Sequence, residues 1–120
     1  MNKAVISLCT GLEDPERVTV AFLVAVGAAE QGRQTLMFLT KEAVRIALTG
    51  FANVVACDGC PPLSGLLCRY EAAGGKFLVC PVCLDARKVD RTGFAANAKA
   101  GGTVQMWEWI GEGNIVSFSY

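Results

Sequence analysis

A chain of 120 residues is the size of one domain, and with 52% hydrophobic and 18% charged residues it has apolar material for a core and for surfaces shared between subunits. Eleven basic residues balance eleven acidic ones and no segment is strongly basic, so nucleic acid and membrane are set aside as partners. There is no histidine, which excludes Cys-His and Ser-His nucleophile pairs and every histidine-ligated metal site.

Met1-Asn2-Lys3 leads directly into Ala4-Val5-Ile6-Ser7-Leu8, too short a run for a signal-peptide core. The longest apolar stretch, Val18 to Ala29, falls well short of the roughly 20 residues a spanning helix needs. A cytoplasmic location is expected, and with it mostly reduced thiols, so the six cysteines are not read as a disulfide framework.

Ala4 to Cys9 reads as a strand buried on both faces. Asp14-Pro15-Glu16 then opens a helix: Asp14 accepts from free amides, Pro15 suits the first helical position, and Glu16 favours the positive end of the dipole. This helix runs to about Gln31 and stops at Gly32, with Val18, Phe22, Ala25 and Ala29 on one face. Gln34 to Thr40 is a second strand, Lys41 to Leu48 a short helix, and Phe51 to Ala56 a short extended piece. Cys57-Asp58-Gly59-Cys60-Pro61-Pro62 is a turn cluster, followed by a helix over Leu63 to Ala73 and a third strand over Lys76 to Val79. Cys80-Pro81 opens a helix running through Val82 to Lys88. Beyond a loop at Asp90 to Gly93 come a helical piece over Phe94 to Lys99, a short strand near Thr103-Val104, a helix over Met106 to Ile110 and a last strand over Asn114 to Phe118. Strands alternating with helices through short connections specify an α/β fold: one domain over residues 1–120, three layers α/β/α, and a mostly parallel sheet of about five strands.

In an open parallel sheet, chemistry gathers outside the carboxyl ends of the strands. Cys80 stands there, at the expected N-cap of the following helix, where unpaired amides and the helix dipole stabilise a thiolate by ~0.3–2 kcal/mol. The thiolate is the nucleophilic form of the side chain. Cys83 completes Cys80-Pro81-Val82-Cys83, a spacing that lets the two sulfurs approach as in redox CxxC motifs, with core filling as the alternative for both. Cys57 and Cys60 form a second CxxC pair, separated from the first by nineteen residues, which fits a four-thiolate zinc spacing. The helix and buried strand expected between the pairs would hold them apart, and Cys57 and Cys60 can instead present a second thiol pair on a loop. Cys9 and Cys68 read as core, and Trp107 and Trp109 as core or subunit interface. Lys76, Arg69 and Arg87 are candidates to support an anionic sulfur near Cys80, against the plainer reading of solvated surface. Thr10-Gly11-Leu12-Glu13-Asp14 is a loop before a helix whose two carboxylates oppose phosphate binding.

The chain resembles the DsrE/DsrF-like (YchN-like) sulfur-relay family nearly end to end. The resemblance rests on the opening strand with Thr10 to Arg17, on Ala21 through Gly32, on Phe38-Leu39-Thr40-Lys41-Glu42-Ala43-Val44, and on Gly74-Gly75-Lys76-Phe77-Leu78-Val79-Cys80-Pro81-Val82-Cys83. The ending, Glu108-Trp109-Ile110 with Ile115-Val116-Ser117-Phe118, also fits. It implies a flavodoxin-resembling three-layer domain that assembles into homo-oligomers, commonly trimers or hexamers. It also implies a cysteine, here Cys80, that accepts sulfur as a persulfide from a donor protein and passes it to an acceptor protein. Cys57, Cys60 and Cys68 lie outside that pattern. The first reading is therefore a sulfur carrier or sulfurtransferase acting through Cys80 and Cys83, with no cofactor and no metal. The others are an oligomeric module holding zinc or a cluster through its CxxC pairs, and a thiol-disulfide redox protein.

Overall fold

In the computed structural model, which describes residues 2–120, the chain runs β1 (Lys3–Leu8), α1 (Pro15–Glu30), β2 (Gln34–Leu39), α2 (Leu63–Ala72), β3 (Lys76–Val79), α3 (Pro81–Ala86), β4 (Ala98–Ala100), α4 (Thr103–Ile110) and β5 (Ile115–Ser119). Two 3₁₀ segments, Lys41–Ala47 and Phe51–Val54, lie between β2 and α2, and a third, Arg91–Gly93, precedes β4. The five strands are all parallel, in the order β4-β3-β2-β1-β5. The fold is the expected α/β one.

The two faces of the sheet carry separate apolar clusters, as the two-residue period of a strand requires. Ile6, Leu8, Met37, Leu39, Phe77 and Val79 face α1, α2 and the Lys41–Ala47 segment. Val5, Leu36, Phe38 and Leu78 face the other way, where Met106, Trp109 and Ile110 of α4 pack against them. Both faces are buried, so the inner strands read as unbroken apolar runs.

The first cluster centres on Phe22, Tyr70 and Phe77, whose ring centroids stand 5.0–6.2 Å apart. Each such aromatic pair contributes about 0.5–1.5 kcal/mol beyond its buried area. The turn from α2 into β3 passes under this ring system at Gly75. A Cβ there would lie 2.3 Å from the Tyr70 ring, so only glycine lets β3 enter the sheet at this depth.

Three local expectations are corrected and one is sharpened. The short helix expected over Lys41 to Leu48 is present as a 3₁₀ helix over Lys41–Ala47: its buried residues Ala43, Val44, Ile46 and Ala47 repeat every three residues, the 3₁₀ period, against the first cluster. Phe51–Val54 is a 3₁₀ turn rather than extended, because Gly50 enters it at φ 86°. The stretch expected to be helical over Phe94 to Lys99 instead bridges Leu48 through Phe94 and ends as β4. There a ladder to β3, with Asn97 donating to the Gly75 carbonyl at 2.9 Å, outweighs the helix propensity of the alanines. Thr103-Val104, expected as a strand, is the first turn of α4, where the Gln105 side chain accepts from the Gly102 amide at 2.8 Å.

Candidate functional site

Cys80 follows the last residue of β3, an internal strand flanked by β2 and β4. Its amide donates to the Leu39 carbonyl at 3.0 Å, continuing the β2–β3 ladder by one step, while the Gly101 amide donates to the Val79 carbonyl at 3.0 Å from the β4 side. The backbone carrying the thiol is thus clamped between two neighbours. Cys80 is the N-cap residue of α3, Pro81 opens the helix, and the Leu84 amide donates to the Cys80 carbonyl at 3.0 Å. This is the placement expected from the sequence, although α3 ends at Ala86 rather than near Lys88.

The thiol itself is free and half-buried. It makes no capping hydrogen bond to the α3 amides, because its side chain packs instead against the Val5/Leu36/Phe38/Leu78 cluster. Cys83 is also free and half-buried but packs against the opposite cluster, the one facing α1 and α2. The two cysteines of this CxxC therefore pack against clusters on opposite sides of the sheet. Each is seated as a separate thiol.

The second CxxC pair is the one that is joined: Cys57 and Cys60 form a disulfide, while the other four cysteines are free, as the expectation of mostly reduced thiols allows. The structure does not bring this pair to Cys80 and Cys83. Among the described residues no group of three or more Cys, His, Asp or Glu side chains is gathered to hold a metal ion, so the four-thiolate zinc spacing has no counterpart in the fold. Cys68, read as core, is exposed on α2. Cys9 is half-buried at the end of β1, its sulfur 3.4 Å from the Tyr120 carbonyl.

Of the cations considered as support for an anionic sulfur, Arg69 is bound to Glu30 at 2.7 Å, and Lys76 begins β3 at the end away from Cys80. Arg87 does belong to the region. Its guanidinium donates to the Glu42 carboxylate and, at 3.3 Å, to the Cys83 carbonyl. Glu42 also accepts from Arg45 at 2.9 Å, and these two arginines, Arg87 foremost, hold its carboxyl below the usual carboxylate range. On its other side the Glu42 backbone meets Gly11, where a Cβ would come within 2.9 Å of the Glu42 carbonyl oxygen. In that same loop the Gly11 amide donates to Glu13 at 2.6 Å, and Asp14 caps α1 through the Arg17 amide at 3.1 Å. The loop after β1, Glu42, Arg87 and α3 thus form one connected frame at the carboxyl edge of the sheet. Glu42 was not singled out from the sequence; its partner lies 45 residues away and no local pattern marks the pair.

The family model for the DsrE/DsrF-like family matches residues 2–118. The chain belongs to the DsrE/DsrF-like family. Among solved structures, the ychN protein from E. coli superposes with a TM-score of 0.76 at 20% identity, over 98% of this chain and all (100%) of that one. The protein of unknown function MTH1491 from Methanobacterium thermoautotrophicum gives a TM-score of 0.64 at 12% identity, covering 98% and 99% of the two chains. The conserved protein of unknown function BT1422 from Bacteroides thetaiotaomicron gives 0.60 at 13% identity, covering 97% and 95%. At these identities the likeness is one of fold, and it extends over the whole DsrE-like sheet with its helices. No curated protein sequence matches the chain.

Proposed function

We propose that this DsrE-like protein is a sulfur carrier that holds a persulfide on Cys80 and relays it between partner proteins. The observation that carries this reading is the Cys80 thiol itself: free, half-exposed, on a clamped backbone at the carboxyl end of an internal parallel strand, and within the segment the family model covers. The Cys80 thiolate attacks the outer sulfur of a donor persulfide, R–S–SH. The donor S–S bond breaks, the donor leaves as its thiolate, and Cys80–S–SH remains. An acceptor thiolate then attacks that outer sulfur and regenerates the Cys80 thiolate. No electrons are gained or lost overall, so no cofactor enters. On this reading Cys83, three residues on and seated against the other cluster, acts on release of the sulfur and not on its capture.

A cytoplasmic, homo-oligomeric protein with protein donors and acceptors completes the reading. Among the described residues no helix is long and apolar enough to cross a membrane. Apolar side chains left exposed on α1 and β5 support self-association.

The test is an anaerobic intact mass after incubation with a small-molecule persulfide donor, with peptide mapping of the adduct. One added sulfur atom on Cys80, lost in Cys80→Ser and retained in Cys83→Ser, is the expected result. Loading that persists in Cys80→Ser would end the assignment.

A further inference from the structure

We infer that Cys57 and Cys60 form a second site, a reversible thiol-disulfide exchange centre that takes electrons from an external thiol and works independently of Cys80. The two sulfurs are joined, and the backbone is built to hold them so. Cys57-Asp58-Gly59-Cys60 is a tight turn closed by the Cys60 amide donating to the Cys57 carbonyl at 3.1 Å. Gly59 takes φ 77° at its third position, a conformation that other residues resist. The turn sets the Cα atoms 5.4 Å apart, inside the usual disulfide range of about 4.4–6.8 Å. Because a hydrogen-bonded turn and not the sulfur bridge fixes that spacing, the dithiol can close again without refolding.

A structural staple would look different. The bridged residues are only three apart in sequence, and the constraint a disulfide places on the unfolded chain shrinks as the loop it closes gets shorter. Neither sulfur belongs to either apolar cluster, whereas Cys80 and Cys83 each pack against one. Both bridged cysteines are half-exposed, and they line an open hollow of about 260 Å³ with Asn53, Pro61 and Ser64 through which a thiolate can reach them. Their separation from Cys80 and Cys83 makes the two chemistries distinct.

In the exchange, an external thiolate attacks one bridge sulfur, the Cys57–Cys60 bond breaks, and the released thiolate takes up a proton. A second external thiol then attacks the mixed disulfide. Two thiols leave as one disulfide, and the pair is reduced to a dithiol by two electrons and two protons.

The test equilibrates the folded full chain anaerobically in glutathione thiol/disulfide buffers of graded ratio, with acid quenching, alkylation and peptide mapping. Cys57 and Cys60 should lose their two alkylatable thiols together in one transition. That transition should be reversible, unchanged in Cys80→Ser, and accompanied by no loss of circular dichroism. Gly59→Val should move the midpoint toward the dithiol by about fivefold or more in thiol/disulfide ratio, since only the reduced turn can relax out of the strained conformation. Three results would each overturn the proposal: single glutathione adducts without pairing, a bridge that resists reduction until the chain unfolds, or a transition that vanishes in Cys80→Ser. None of these depends on whether Cys80 loads sulfur.

Discussion

The Tyr70 side chain is fully enclosed between Phe22 and Phe77, and its hydroxyl donates to the Lys76 carbonyl at 2.7 Å with the Thr35 carbonyl at 3.2 Å. This one group ties α2 to the first residue of β3 and to β2, so it sets the depth from which β3 delivers Cys80. Burial pushes the phenol well above its ordinary value, with the hydrogen bonds to backbone opposing that rise. A raised folded value means the stabilisation is complete below about pH 10, where the unfolded phenol begins to ionise, and is lost as pH rises toward the folded value. Tyr70→Phe should therefore cost about 1 kcal/mol at neutral pH, from carbonyls left without their donor. It should also lose less stability than the parent between neutral pH and pH 11. Urea melts across that range measure both, and parallel alkaline losses in the two proteins would show that Tyr70 is not the group responsible.

At the level of elements, α3 is held at the sheet edge by a bond from another segment. Glu42, in the Lys41–Ala47 3₁₀ segment, accepts from Arg87 just past the helix end, and Arg87 in turn reaches the Cys83 carbonyl. The Glu42 carboxyl is held below its ordinary value of 4.5 by hydrogen bonds from Arg87 first and Arg45 second. A depressed folded value gives stabilisation that is present above about pH 4.5 and lost as pH falls through the lower folded value. The side chain is 41% exposed, so solvent screening keeps the gain small, under about 1 kcal/mol. Glu42→Gln should lower the melting temperature slightly at neutral pH, flatten the acid loss below about pH 4.5, and speed hydrogen exchange at the amides of α3. Identical acid profiles and exchange rates would remove Glu42 as the anchor. Features of this range are where sequence reading stops. β1, α1, β2, β3 and the place of Cys80 were legible because a cap, a glycine stop or an unbroken apolar run marks each within its own segment. Glu42 with Arg87, and β4 with β3, are set by partners remote in sequence, and alanine-rich Ala95 to Ala100 carries no strand signal of its own. The Cys57/Cys60 spacing was visible as a second thiol pair on a loop, but its oxidation state is set by the turn geometry, which the spacing alone does not carry.

Across the whole molecule, the β5 flank of the sheet is the apolar one of its two edges. β5 pairs with β1 alone, and all but its first residue are exposed. Val116 and Phe118 are 44% and 47% exposed, and on α1 Val20 and Leu23 are 40% and 44% exposed. Together with Val24 and Ala28, the two β5 residues line an apolar groove of about 370 Å³ between helix and strand. Free edges in soluble proteins are ordinarily guarded by lysine, proline or a bulge, and Ile115 to Tyr120 contains no charge and no proline. An unguarded parallel edge beside an apolar helix flank fits burial against a second copy of this chain, since that copy is always present at matching concentration. Phe118→Glu and Leu23→Glu each place a charge in such a contact while leaving the first cluster, built from Ile6, Phe22 and Met37, untouched. Sedimentation of the parent chain at micromolar concentration should give an oligomer, and both variants should sediment as folded monomers. A monomeric parent, or an oligomer that survives both substitutions, would mean that this flank is not the contact. If the variants dissociate and still load sulfur on Cys80, the carrier site is complete within one chain; if loading falls with assembly, a neighbouring chain completes it.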